Sequence, residues 1–325
     1  MIQAGIAGGA GYTAGELIRI LVNHPHVELN FVYSTSNAGN LLSDVHQDLL
    51  GSTEIRFSDT INTEVDVLFL CLGHGTSKRF LEENHFTEKT VIIDLSNDFR
   101  LKADTEFQGR EFIYGLTELN RDKIKQACSI ANPGCFATAI QLALLPLAEN
   151  KLISDAVHIT GVTGATGAGT SLSDTTHYTW RDNNFSYYKA FTHQHLGEIY
   201  QTLSSLQRNF DQKVHFLPHR GNFSRGIFVT AYTKYDGSLE DAKALYSDFY
   251  KDAPFTFVSE KELHLKQVVN TNKCFLHVHK EDGMLLITSI IDNLTKGASG
   301  QAVENMNLIF GLPQTEGLNL KANFF

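Results

Sequence analysis

The first two dozen residues place the tightest limit on the fold. Ile2–Ala7 is a short apolar run, Gly8-Gly9-Ala10-Gly11-Tyr12-Thr13-Ala14-Gly15 follows at once, and residues 16–22 repeat apolar side chains at helical spacing. This order reads as buried strand, glycine-rich turn and amphipathic helix. Glycine lets backbone come close to a pyrophosphate, and the start of the helix then stabilises its charge. Gly8, Gly11 and the small Ala14 fit a G-x-x-G-x-x-G/A pattern, with Tyr12 and Thr13 between them. These five residues form the expected cofactor-binding turn.

The next segments extend the same architecture. Val27–Tyr33 is a second strand, ending in Ser34-Thr35-Ser36-Asn37-Ala38-Gly39. An NAD-preferring site usually carries an acid at this strand end. Here Ser34 and Ser36 offer hydroxyls, which donate to a 2′-phosphate and do not repel it, so NADP(H) is the expected cofactor. Residues 65–72 form a third strand, with Cys71 in its core, running into a second glycine turn at Gly73 that is expected near the nicotinamide half. Residues 91–95 form a fourth strand and deliver Arg100 beyond its end. In open parallel sheets ligands gather at the carboxyl ends of strands, so Arg100 is placed to bind an anion. The expected fold class is α/β: a Rossmann-type doubly wound cofactor domain, followed by an α+β catalytic and dimerisation domain.

Asn132-Pro133-Gly134-Cys135-Phe136-Ala137-Thr138 separates a short apolar patch from a long apolar run that extends to residue 147. Pro-Gly makes a turn, and the run reads as a helix. Cys135 therefore sits at a helix start, where unpaired N–H groups and the helix dipole favour a thiolate. An ordinary thiol with pKa about 8.5 is only ~3% ionised at neutral pH, so this placement matters for reactivity.

Beyond residue 150 the pattern becomes α+β. A strand over 157–162 meets a Gly/Thr/Ser loop, and a polar aromatic stretch leads to His193-Gln194-His195-Leu196-Gly197-Glu198. No third ligand stands at metal spacing from the His-x-His pair, so no metal site is expected. Pro218-His219 precedes an alternating strand over 227–235. A helix over 239–250, strands near 274–280 and 284–292, and a last helix over 302–310 complete the chain. That last helix is expected to return to the first domain. The expected domains are 1–134 with 299–325, and 135–298.

Composition limits the function classes. With 42% hydrophobic and 19% charged residues the chain is an ordinary globular one, and a net charge of -9 disfavours nucleic acid as a partner. Four cysteines without a CxxC pair suggest neither a zinc site nor a disulfide framework and fit a cytoplasmic location. No apolar stretch approaches the ~20 residues of a membrane span.

A nucleophilic cysteine, a nicotinamide site and an anion-binding arginine specify acyl transfer joined to hydride transfer. If the acyl leaving group is phosphate, an arginine is needed to hold it. His219 is the candidate proton carrier, because histidine titrates near neutral pH.

The glycine turn, Asp94-Leu95-Ser96-Asn97-Asp98-Phe99-Arg100-Leu101, Tyr114-Gly115-Leu116-Thr117-Glu118-Leu119-Asn120, Asn132-Pro133-Gly134-Cys135, Pro218-His219 with Arg225-Gly226-Ile227, and the segment from Asp292 to Asn307 together resemble the N-acetyl-γ-glutamyl-phosphate reductase family. The resemblance spans nearly the whole chain, in order. It implies reduction of an acyl phosphate by NADPH in arginine biosynthesis through a Cys135 thioester, with His219 as acid/base. It also implies phosphate binding by Arg100 and Asn132, substrate contacts from His195, Glu198 and Arg225, Asn293 at the cofactor site, and a homodimer or homotetramer.

Two departures stand out. Arg220-Gly221-Asn222-Phe223-Ser224 replaces a usual apolar Leu-Val-Pro-Met type stretch, which leaves a larger or anionic N-acyl group such as succinyl as an alternative substrate. Thr35 stands where the family often carries Arg. Aspartate-semialdehyde dehydrogenase is a second alternative, on the same fold and chemistry. A non-enzymatic NADP-binding regulator is the distant third.

Overall fold

A computed structural model describes all 325 residues. The chain forms two compact units, Met1–Pro133 with Ala298–Asn319, and Gly134–Gly297 with Leu320–Phe325. The tail beyond residue 319, expected with the cofactor domain, groups with the second unit. There Asn323 N donates to Val269 O, Asn270 Nδ2 donates to Lys321 O, and Phe324 packs on His264.

The first unit is built on six parallel strands. These are β1 (Ile2–Ala7), β2 (Val27–Tyr33), β3 (Val67–Leu70), β4 (Val91–Asp94), β7 (Ile113–Tyr114) and β8 (Ser129–Ala131), in the order β2-β1-β3-β4-β8-β7. Between β4 and β7 a small hairpin pairs β5 (Glu106–Phe107) with β6 (Arg110–Glu111). The strands of the sheet centre are buried end to end, as a sheet covered on both faces requires. Its helices are α1 (Tyr12–Leu21), the short α2 (Leu42–Val45), α3 (Ser77–Glu83), α4 (Thr117–Ile124) and, from the chain's end, α9 (Gly300–Ile309).

Helix α9 is buried on every side although it carries Gln301, Glu304, Asn305 and Asn307. Buried polar groups persist where they are hydrogen-bonded. Glu304 Oε1 accepts from Thr117 Oγ1 and Gln314 Nε2, Asn305 Nδ2 donates to Gly115 O, and Asn307 Oδ1 meets His24 Nε2.

The second unit centres on a mixed seven-stranded sheet. It comprises β9 (Val157–Thr163), β10 (Ser186–Tyr187), β11 (Val214–Arg220), β12 (Ile227–Lys234), β13 (Thr256–Val258), β14 (Cys274–Glu281) and β15 (Met284–Ile291), in the order β10-β11-β9-β12-β15-β14-β13. Helices α5 (Cys135–Glu149), α7 (Leu196–Leu206) and α8 (Leu239–Phe249) belong to this unit, and the single-turn α6 (Tyr178–Arg181) lies in the loop after β9. Burial alternates along β9, β11 and β12, so one face of the sheet is covered and the other is only half-buried. Gly161 on β9 admits α5 closely, since a Cβ there would lie 2.6 Å from Phe136.

Helix α5 carries Pro146 in its last turns. Proline has no N–H, so the carbonyl four residues earlier loses its partner. That carbonyl is Leu142 O, and Tyr250 Oη donates to it at 2.6 Å, while Tyr246 Oη donates to Ala143 O at 2.6 Å. Replacing Tyr250 by Phe strands Leu142 O in the core and is expected to cost about 1–3 kcal/mol. Urea unfolding of Tyr250→Phe measures this, and an unchanged midpoint contradicts it.

Candidate active site

In the first unit, Gly8 has φ +84° and a Cβ there would lie 2.7 Å from Cys71 O. Only glycine fits this close crossing of two strand ends. Gly8 N and Gly9 N both donate to Tyr33 O, which fixes the turn. Gly11 is the N-cap of α1 and makes no side-chain cap, and a Cβ on it would meet nothing within 4 Å. The helix start is therefore a backbone cradle of the kind that receives a pyrophosphate. Tyr12, Thr13 and Ala14 form the first turn of α1, and Ser299 Oγ donates to Thr13 O from the other end of the chain. These residues fit a dinucleotide.

At the end of β2, Ser34 is buried and Ser36 exposed, and Asn37 Nδ2 donates to both hydroxyls. The turn itself, residues 34–39, contains no arginine. The fold supplies one: Arg56, far along the chain, donates from Nη1 to Gly39 O at 2.7 Å. Strand-end pairing of Leu41 with Arg56 brings it there, which no local pattern announces.

The second glycine turn differs from expectation in its electrostatics. Gly75, Ser77 and Lys78 N–H groups all donate to the Asp98 carboxylate, so the start of α3 is already capped by an anion from the chain itself. Gly73 is exposed and keeps only its backbone for a ligand. Cys71 is as inert as its core reading implied, because burial and then the Asp94 charge push its thiol up. Asp94 is itself fully buried, and desolvation raises it to about 6 against the donors Ser77 Oγ and Ser96 Oγ.

Arg100 and Asn132 are joined. Arg100 is 4% exposed, donates from Nε to Asn132 O at 2.8 Å and from Nη2 to Leu95 O at 2.9 Å. Asn132 Nδ2 donates to Ala298 O, and its Oδ1 accepts from Asn305 Nδ2. Both expected phosphate ligands thus brace the end of the parallel sheet.

In the second unit, Cys135 is the first residue of α5 and Gly134 its N-cap. Two groups from the start of α7 converge on Gly134. Its N–H donates to Glu198 Oε2 at 2.9 Å, and a Cβ on it would lie 2.4 Å from His195 Nε2. His195 and Glu198 stand three residues apart, one turn of helix, and so share a face. From the other side Gly297 comes close enough that its Cβ would lie 2.9 Å from Cys135 Cβ. The loop bearing Gly297 is shaped by Asp292, whose buried carboxylate accepts from Asn270, Leu294 and Thr295 N–H groups and from Arg225 Nε and Nη2.

Three of the expected site residues have structural partners of their own. Arg225, expected on the substrate, is ion-paired to Asp292 at 3.0 Å. Asn293, expected on the cofactor, accepts from Gly226 N through Oδ1, donates to Thr166 Oγ1 through Nδ2, and is 2% exposed. Its amide braces the loop. His219, the expected proton carrier, meets Leu217 O through Nδ1 and lies between Phe185 and Tyr187, while His195 is the histidine set against the backbone of Gly134.

His193 lies against His195, and Tyr188, Phe136 and Phe216 pack around His193. Burial pushes the Tyr188 phenol up to about 12, and the charge of a Cys135 thiolate adds to the push. Burial, with the charge of Lys189, lowers His193 to about 4, so it is neutral at physiological pH. The unfolded chain therefore binds more protons at this residue between about pH 6.5 and 4. Stability due to neutral His193 is present above pH 6.5 and lost as pH falls through that window, by about 3 kcal/mol in all. His193→Gln is expected to flatten the acid side of the unfolding profile, and an unaltered slope contradicts this.

Comparison with known proteins accounts for both units. Residues 3–127 match a family profile described as semialdehyde dehydrogenase, NAD binding domain, and residues 135–293 match semialdehyde dehydrogenase, dimerisation domain. The fold is that of aspartate semialdehyde dehydrogenase II from Vibrio cholerae, complexed with ASA, with a TM-score of 0.70 and 14% identity over 96% of this chain and 98% of that one. At that identity the likeness concerns the fold alone. Much nearer in sequence is the N-acetyl-gamma-glutamyl-phosphate reductase of Christiangramia forsetii, 66% identical over the full length of both chains. The protein of the same name from Flavobacterium johnsoniae is 59% identical over the full length of both. The chain belongs to the N-acetyl-gamma-glutamyl-phosphate reductase family, within the semialdehyde dehydrogenases.

Proposed function

We propose that this chain reduces N-acetyl-γ-glutamyl phosphate to N-acetylglutamate γ-semialdehyde and phosphate, at the expense of NADPH, in arginine biosynthesis. The observation that carries the reading is Cys135 at the first position of a buried helix, with His195 and Glu198 gathered on the glycine before it, in a chain so close to relatives of that name. The aspartate-semialdehyde alternative has only the fold in its favour.

Cys135 Sγ attacks the acyl carbon, the bond from carbon to phosphate oxygen breaks, and a thioester remains. His195 takes the thiol proton at Nε2. It replaces His219 in this role because its ring already lies against the residue preceding the nucleophile. Glu198 fixes the turn through Gly134 N–H, one helical turn from His195. NADPH, whose pyrophosphate the Gly8–Ala14 turn would hold, would supply the hydride when bound. Thiolate departure from the resulting thiohemiacetal then releases the aldehyde. Arg100 and Asn132 act as one joined group in phosphate recognition. Ser34, Ser36 and the nearby Arg56 favour the 2′-phosphate of NADP(H), and the backbone of Gly73 completes the cofactor contacts.

The second unit is read as the centre of a cytoplasmic homodimer. Support comes from the dimerisation-domain match and from the half-buried sheet face, where His158 stacks on both His215 and Tyr232 at about 5 Å. A chain that sediments as a monomer at micromolar concentration contradicts this.

The test of the function runs the reaction backwards. Purified protein is given NADP, inorganic phosphate and N-acetylglutamate γ-semialdehyde, and NADPH absorbance is followed. Signal should require phosphate and vanish in Cys135→Ser. His195→Asn should lose at least about a hundredfold in kcat, with His219→Asn losing far less. Equal losses return the acid/base role to His219, and silence of the unaltered protein overturns the assignment.

A further inference from the structure

Two arginines that no carboxylate balances meet where the loop between β9 and α7 touches the end of β11. Arg181, at the end of α6, is 9% exposed. Its Nη1 donates to Arg220 O at 3.2 Å and its Nη2 to Thr175 O at 3.3 Å, while its Nε is buried and meets no acceptor. Arg220, the last residue of β11, lies with its guanidinium 4.9 Å from the centre of the Tyr188 ring and hydrogen-bonds the phenol. Its Nε is likewise buried without an acceptor. Burial, and then the like charge of Arg220, lower the Arg181 pKa.

Two neighbouring guanidiniums, one buried and one half-buried, each with a buried Nε that meets no acceptor and neither with an anion, are costly. Tyr188, under the Arg220 guanidinium, lies 5.8 Å from His193, which meets His195 at 4.6 Å, and His195 lies against Gly134, so the pair stands on the nucleophile's side of the unit. Guanidinium forks match carboxylates in shape as well as charge.

We propose that Arg181 and Arg220 form a carboxylate-binding subsite beside Cys135, one that takes the α-carboxylate of the substrate. The subsite's place in turnover rests on the acyl-phosphate reading above, whereas its affinity for a carboxylate does not. Arg220 hands its charge to the substrate over the face of Tyr188. Arg181 supports it through Arg220 O and adds the second N–H fork. Substrates lacking a charge at this end then leave both cations unbalanced and are rejected.

The only tryptophan of the chain, Trp180, precedes Arg181 and reports on the site by fluorescence. The full-length protein is titrated with glutarate and, separately, with neutral glutaramide. Glutarate should bind saturably and glutaramide should not. Arg220→Leu should weaken glutarate by about tenfold or more, equivalent to about 1.4 kcal/mol, and Arg220→Lys by less. Circular dichroism confirms that each variant is folded. In turnover, Arg220→Leu should raise KM for N-acetylglutamate γ-semialdehyde with little change in kcat. It should leave the already poor KM of the α-methyl ester unchanged. Equal glutarate affinity in Arg220→Leu and the unaltered protein overturns the proposal, as does equal response to glutaramide or an equal KM rise for acid and ester. Because the fluorescence arm needs no turnover, an inactive protein that binds glutarate would refute the proposed reaction and keep the subsite.

Discussion

The catalytic unit depends on the close approach made at Gly134. A hydrogen atom in place of a side chain leaves room for the His195 ring, and the N–H of the same residue is held by Glu198. One α7 turn thereby grips the start of α5 at a single residue. Cys135 follows immediately, so the nucleophile inherits its placement from two helices. The third support, Gly297, is close for the same reason and is positioned by the Asp292 hub. A methyl group at Gly134 would displace the histidine, and one at Gly297 would press on the cysteine.

Buried charge is distributed with a clear logic. Asp292 has five donors, Asp98 caps α3, and Asp94 is met by two serine hydroxyls. Such groups persist because their partners replace water. Desolvation still raises Asp94 to about 6, so hydrogen bonds offset its burial only in part. Arg181 and Arg220 differ: like Arg19 each keeps a buried Nε without an acceptor, but Arg19 is paired with Glu16 and these two have no carboxylate.

Much of this was legible in the residues. The strand, glycine turn and helix at the start lie where the pattern put them, because local chemistry alone dictates them. Cys135 opens its helix for the same reason. What eluded the sequence is long-range. Arg56 reaches the Ser34–Gly39 turn through a bridge to Leu41, and Asp98 caps α3 across two strands. Asn293 and Arg225 sit in motifs that resemble functional ones but serve to hold the loop around Asp292. His195 and His219 could not be ranked by spacing, because only the packing of α7 against α5 sets one of them on Gly134. The buried polar face of α9 has no periodic signature, since its partners come from the other end of the chain.

The central claim is that the α5 start and His195 together keep Cys135 ionised and reactive. Its most direct test is the rate of alkylation of the Cys135 peptide against pH, read by mass spectrometry so that the exposed Cys128 does not interfere. The account predicts a midpoint well below the ordinary value of about 8.5, moving upward in His195→Gln. A midpoint at the ordinary value that is unmoved by the substitution would contradict it.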